Sequence, residues 1–229
     1  MRILRFTLHI FILCLVVTAC KKDDKIETPN LPDPLQEKHK YYPLEVGNYW
    51  VYKLFEIDNL SNEIELNQTD SCFIAKDTII RGIKYYKLSE PNIDQSRKYT
   101  FIRDSADYII NSFGQKLFSE IKMNELLYET FITIRDSTHE DPIAKIDTVC
   151  KVERRMDQIP LQTITPAGIF NTLNSKEVFE FYPNWSYSGK SRSKSKKYAN
   201  EVGIVLETLP FVMSNTKYTE RRLIRFHLN

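Results

Sequence analysis

The chain has little of what most catalysts display. Its 229 residues hold only four histidines and four cysteines. It has no Gly-x-Ser-x-Gly elbow, no His-Glu-x-x-His and no Cys-x-x-Cys, so the usual nucleophile, zinc-hydrolase and thiol-redox signatures are missing. Gly189-Lys190-Ser191 copies the end of a phosphate loop, but Asn184 stands where the first glycine belongs. Long apolar runs are missing too. Phe6 to Val17 is mostly apolar, but Thr7 and His9 interrupt it. A bilayer needs about 20 apolar residues, so this run does not span one. A surplus of one charge sign is also absent, which gives no general pull toward nucleic acid. No α/β alternation, long internal repeat or coiled-coil heptad occurs.

What is present begins at the N-terminus. Arg2 and Arg5 precede the apolar run without an acid among them. That order marks a signal peptide rather than a transmembrane helix. Val17-Thr18-Ala19-Cys20 resembles the lipobox of bacterial lipoproteins, which implies cleavage before Cys20 and acylation of that cysteine. Each buried methylene contributes about 0.8 kcal/mol, so several acyl chains anchor stably where one does not. Cleavage removes two of the 32 Lys+Arg and none of the 30 Asp+Glu, leaving a formally neutral mature chain. Lys21-Lys22-Asp23-Asp24-Lys25 follows and resembles the surface-export signal of Bacteroidota lipoproteins. The expected address is the outer membrane, with the cell surface favoured over the periplasmic face. The expected divisions are residues 1–19 as signal, 20–40 as a lipidated tether containing Pro29, Pro32 and Pro34, and 41–229 as one β-rich domain.

From Tyr41 onward the pattern has period two. Tyr49 to Ile57 is rich in aromatic and branched residues and predicts a strand after the Gly47-Asn48 turn. Trp50 and its neighbours are expected to plug one end of a β-core. Arg81-Gly82 predicts a hairpin between Ser71–Ile80 and Ile83–Leu88. Asp104 to Asp107 predicts a turn between Tyr99–Arg103 and Tyr108–Ile110. Leu126, Tyr128, Thr130, Ile132 and Ile134 share one mostly apolar parity. Ile146, Cys150 and Val152 share another, which points Cys150 inward. Glu177 to Tyr182, Gly203 to Thr208 and Arg221 to Leu228 complete the strands, and His227 falls on the wet face of the last. Glu120 to Leu127 predicts a short helix. The expected fold class is mainly β, an antiparallel meander forming a curved sheet or an open half-barrel with few short helices.

Several residues are candidates for chemistry. Cys72 and Cys150 are the pair left in an oxidising compartment; a bridge between them would contribute about 4–5 kcal/mol in the chain-entropy model, and two buried free thiols are the alternative. Ser188 to Lys197 carries five cations and no acid. Serines alternate with cations there, so an extended chain places Lys190, Arg192, Lys194 and Lys196 on one side, with Lys197 beside them. That side is open to two readings, an anion-binding surface for headgroups or acidic glycans, or a solvated loop. Asp77-Thr78, Asp104-Ser105, Asp136-Ser137 and Asp147-Thr148 resemble the O-glycosylation acceptors of exported Bacteroidota proteins, which would make Thr78, Ser105, Ser137 and Thr148 acceptors. Asp-Ser/Thr pairs are also common at turns. His139-Glu140-Asp141 is the nearest approach to a metal set and reads as a charged loop tip before Pro142; no metal or cofactor is expected.

Three stretches together resemble uncharacterised lipoproteins and exported proteins of the Bacteroidota. They are Tyr41-Tyr42-Pro43-Leu44-Glu45-Val46-Gly47-Asn48-Tyr49-Trp50, Thr165-Pro166-Ala167-Gly168-Ile169-Phe170, and Tyr198-Ala199-Asn200-Glu201-Val202-Gly203-Ile204-Val205. Glu201 stands where that pattern has glycine. The resemblance implies an antiparallel β fold and an envelope address, and it carries no activity. The expected function is a lipid-anchored, non-catalytic β-domain that meets the membrane through its lipid and binds an unknown ligand or envelope protein, not nucleic acid. The alternatives are a surface hydrolase acting on glycan or peptide through paired carboxylates, and an inhibitor or immunity-type lipoprotein.

Overall fold

A computed structural model of the chain describes residues 40–58, 60–91, 97–135, 146–157, 159–183, 192–210 and 218–229. Every regular element among them is a strand. The strands are Tyr49–Ile57 (β1), Glu63–Ile80 (β2), Ile83–Pro91 (β3), Arg97–Ser105 (β4), Tyr108–Asn111 (β5), Lys116–Phe118 (β6), Leu126–Arg135 (β7), Ile146–Met156 (β8), Leu161–Thr165 (β9), Gly168–Phe181 (β10), Arg192–Ala199 (β11), Gly203–Pro210 (β12) and Tyr218–His227 (β13). Their order is β6-β5-β4-β3-β2-β1-β13-β12-β11-β10-β8-β7, with β9 paired to β10 off that path. All pairs are antiparallel. The meander therefore curls until its first and last strands meet, and the sheet is nearly closed into a barrel.

β6 and β7, the two ends of the sheet order, share no strand ladder, and side chains from β8 and β10 hold β6 in place. Arg154 Nη1 donates to the Lys116 carbonyl at 3.0 Å, and Ser175 Oγ donates to the Leu117 carbonyl at 3.0 Å. An unpaired buried carbonyl is costly, so these two bonds do for β6 what a neighbouring strand would do. Phe118 follows and is fully buried. Its ring lies 4.4 Å from that of Tyr198 and 5.9 Å from that of Tyr41, and Tyr42 adds a third contact on Tyr198 at 5.6 Å. This aromatic group sits in a core with Trp50, Tyr52, Ile74, Ile102 and Leu223. Val149, Cys150, Val152, Phe179 and Phe181 form a second, smaller cluster.

The local rules hold at the turns. Arg81 and Gly82 have φ of 51° and 78°, the double left-handed pair that a tight hairpin needs. Trp50 is buried and its indole approaches Gly203: a Cβ there would stand 3.2 Å from Nε1. So Trp50 is packed core, as the sequence predicts.

One expectation changes, and β7 adds an irregularity. No helix forms at Glu120 to Leu127. Ser119 Oγ instead accepts from the Ile121 and Lys122 amides at 3.3 and 3.0 Å, a serine turn that leads straight into β7. β7 keeps its even parity on the inward side as far as Ile132: Tyr128, Thr130 and Ile132 stand opposite Arg154, Val152 and Cys150. The register shift between Leu126 and Tyr128 adds Leu127 to the buried set, while Leu126 is exposed. A bulge of this kind inserts one residue without moving the rest of the strand to the other face.

Candidate functional site

Seven strands turn charged side chains inward. Parity explains why. Arg221 shares a face with fully buried Leu223, Glu207 with fully buried Val205, Asp70 with Cys72 and Glu90 with Leu88. Lys194 and Lys196 point the same way from β11. Register then places opposite signs side by side. Glu177 pairs with Arg154 on one flank and Lys194 on the other, and Glu207 pairs with Lys196 and Arg221. The layer therefore alternates in sign across the strands, which is favourable between cross-strand neighbours.

Glu207 is its centre, with 1% of its surface exposed. It accepts a short charged bond from Arg221. Lys194 and Lys196 approach it at 3.0 and 3.2 Å. Lys196 also reaches Glu90 at 3.7 Å, Lys98, the cross-strand partner of Glu90, approaches it at 3.8 Å, and Arg221 reaches Asp70 at 3.4 Å. Arg154 donates to Glu177 through Nε at 2.9 Å. The Arg221 guanidinium also lies over the Tyr52 ring at 5.4 Å.

Burial works against ionising Glu207, yet Arg221, Lys196 and Lys194 outweigh it and hold its carboxyl well below the usual range. The balance is the same at Glu90, where burial is overcome by Lys196, and at Glu177, where it is overcome by Arg154. Asp70 differs: burial prevails over Arg221 and raises it. Lys196 is raised above its ordinary value, because Glu207 and Glu90 overcome the effect of burial. Burial pushes the Cys72 thiol up to about 12.

Beside this layer lies a cavity of about 10 Å³, lined by Tyr42, Trp50, Tyr52, Cys72, Leu88, Glu90, Ile204 and Arg221. That is room for about one water. Glu90 and Glu207 share Lys196, which brings two carboxylates together as glycosidase chemistry requires. Such chemistry also needs one carboxyl held protonated and a space for the sugar. Both carboxyls are held as anions, and the cavity admits a water. Among the described residues no group of three or more His, Cys, Asp and Glu is placed to hold a metal.

The residues singled out from sequence are distributed as follows. Cys72 and Cys150 are buried free thiols. They belong to different clusters, Cys72 beside Arg221 at 3.9 Å and Cys150 among Val149, Val152 and the two phenylalanines. The alternative of two buried thiols is therefore the arrangement found, and the bridge is absent. Lys194 and Lys196 do share a side, but that side is the barrel interior, where their charges are spent on Glu207 and Glu90; they are not an open surface for anions. Arg192 keeps the same parity, and Lys197 takes the opposite one. Thr78, Ser105 and Thr148 are half-buried, with Ser105 at the end of β4 just before the turn. His227 is exposed and stacks on Tyr49 at 5.6 Å. Cys20, His39, Ser137, His139, Glu140, Asp141 and Lys190 lie outside the described residues.

Sequence reasoning missed the inward charge layer. Its signal is the cation–serine alternation of Arg192 to Lys196, followed after the Gly203 turn by a strand whose polar residue Glu207 shares parity with Val205.

The fold defines an antiparallel β-domain whose interior is bound by packed rings and balanced ion pairs. No protein-family model matches the sequence, and no curated protein matches it. Two solved structures are similar in fold. One is a proposed lipoprotein from Parabacteroides distasonis ATCC 8503, at 12% identity over 82% of this chain and 99% of that one, with a TM-score of 0.41. The other is a proposed exported protein with a YmcC-like fold from Bacteroides fragilis NCTC 9343, at 10% identity over 81% and 98%, with a TM-score of 0.41.

Proposed function

We propose that the protein is a lipid-anchored cell-envelope domain that does no chemistry of its own and works by holding an envelope protein against its outer surface. The observation that carries this reading is the interior. Among the described residues, core rings and ion pairs surround a cavity of about 10 Å³, which has room for a water and not for a lipid or sugar. Recognition then falls to the outside, and the Cys20 anchor restricts it to partners at the same membrane. The Lys21–Lys25 segment favours the outer face of that membrane. Ser105, at its turn, is the best-placed acceptor for glycosylation among the described residues.

One experiment tests both halves. Intact cells carrying wild type or Cys20→Ser are crosslinked, then fractionated with a carbonate wash. Wild type is expected to remain with the membrane and to give a discrete crosslinked species, and the variant to be released folded and without it. A variant that stays with washed membranes overturns the anchor. A wild type that is membrane-bound but never crosslinked overturns the partner.

A further inference from the structure

The longest uncharged stretch of the mature chain runs from Gln158 to Ser175, eighteen residues in a protein whose composition is 27% charged. It contains β9 and the first half of β10. Period two divides that hairpin into two faces. Thr163, Thr165 and Thr172 are buried, and Ala167 and Phe170 pack against the core. Ala167 N also donates to the Leu223 carbonyl at 3.0 Å, tying the hairpin tip across the barrel end. The other face carries Ile164 and Ile169, cross-strand partners that are 69% and 63% exposed. Gln162 and Asn171 pair beside them. Single exposed apolar residues are ordinary; two in register, on the outside of a chain segment emptied of charge, make a small apolar patch that suits an apolar partner.

The position of the hairpin says which partner. Thr172 pairs with Ala199, the last residue of β11, so Gly168 to Asn171 run past the end of that strand. They run toward the β11–β12 turn. At that same turn Glu201 N donates to the Lys40 carbonyl at 2.7 Å. The hairpin therefore stands at the end of the barrel where the chain arrives from Cys20. The residues from Cys20 to Lys40 reach at most about 70 Å even fully extended. An acylated chain of that length keeps this end beside the bilayer at high effective concentration.

We propose that the outer face of the β9–β10 hairpin, Ile164 with Ile169, is a membrane-docking surface that seats this end of the barrel on the phospholipid bilayer holding the lipid anchor. The inference rests on the Cys20 anchor described above. Uncharged, branched side chains flanked by amides suit the boundary between headgroups and acyl chains, which shallow anchors enter by about 5–10 Å. Docking would fix the orientation of the domain, leaving the opposite end, with the β1–β2 turn, directed away from the membrane.

The test uses the full acylated chain in vesicles of phosphatidylethanolamine and phosphatidylglycerol. An environment-sensitive fluorophore is placed at I164C or, as control, at L60C in the β1–β2 turn, where Leu60 is 82% exposed. Cys72 and Cys150 are buried and stay unlabelled under native conditions. Lipids brominated in the upper acyl chain should quench the label at 164 by about half, since the shallow insertion depth places it beside the bromines. The label at 60 should keep its emission. If the protein floats with the vesicles but both labels respond alike, the docking face is wrong. If label 164 shifts blue without bromine quenching, the occupant is a second protein and the membrane proposal fails. If the protein does not float at all, the anchor reading fails instead.

Discussion

Glu201 is in the left-handed region, with φ of 58°. It stands where the resembling lipoproteins have glycine, and the backbone shows why glycine fits there. A residue with a Cβ in that region costs about 1–2 kcal/mol, of which glycine returns part through its looser unfolded chain. Glu201→Gly should therefore stabilise the domain by about 0.5–1 kcal/mol, provided the hydrogen bond from its N–H to the Lys40 carbonyl is kept. Urea unfolding that shows a loss of stability would mean the glutamate side chain holds something the backbone argument ignores. Two residues on, the direction reverses. Gly203 has φ of 98°, and an added Cβ would press on Trp50 at 3.2 to 3.3 Å. Gly203→Ala combines strain with overpacking and should cost about 2–4 kcal/mol. Near-ultraviolet dichroism should also change, because the ring displaced is an indole; an unchanged spectrum with unchanged stability would sink the argument.

At the scale of elements, the strands were legible and their irregularities were not. Period two identified β7, β8 and β13 in sequence, because one face of each differs in polarity from the other, while aromatic and branched density identified β1 and the Arg81-Gly82 turn identified β3. β2 runs from Glu63, eight residues before its apolar alternation begins at Ser71, because its early half pairs with β1 through backbone bonds and the Lys53–Glu65 ion pair rather than through apolar side chains. The shift in β7 was hidden for a physical reason as well: Leu126 and Leu127 are both apolar, so composition does not say which one turns inward. The charged layer was hidden because lysine alternating with serine looks the same whether the lysines face water or face Glu207. The difference lies on another strand. That coupling between strands gives a prediction. Glu207→Gln leaves Arg221 and Lys196 buried without their common partner, and breaking a buried pair in this way costs about 3–5 kcal/mol. The double variant Glu207→Met with Arg221→Met leaves Lys196 on Glu90, Lys194 beside Glu177 and Asp70 near Arg97, still balanced. It should recover most of the loss, as apolar replacements of whole pairs often do. A double variant as unstable as the sum of the singles would show that the two residues act independently and that the alternation in sign is incidental.

For the molecule as a whole, the layer sets a window of pH. Glu207, Glu90 and Glu177 have folded values below the 4.5 of the free side chain. A group depressed on folding adds stability above its unfolded value and loses it as pH falls through the folded one. All three therefore act in the same direction, weakening the barrel on acidification from about pH 4.5 downward. Asp70, raised by burial from 3.8, acts in the opposite sense and is relieved by protonation, but it is one group against three. Lys196 has its folded value above 10.5, so its contribution is complete below that pH and is lost only in strong alkali. Between these limits the interior charges match, four carboxylates (Asp70, Glu90, Glu177, Glu207) against Arg154, Lys194, Lys196 and Arg221, and stability should be flat. Thermal unfolding across pH should show a plateau from about pH 5 to pH 9, above which the buried Cys72 thiol ionises in the unfolded chain only, and a steep acid limb below it. Glu207→Gln should make that limb shallower, since one of its protons is gone. A stability maximum below pH 4, or an acid limb with the same slope in the variant, would mean that the interior carboxyls are not what holds the barrel closed.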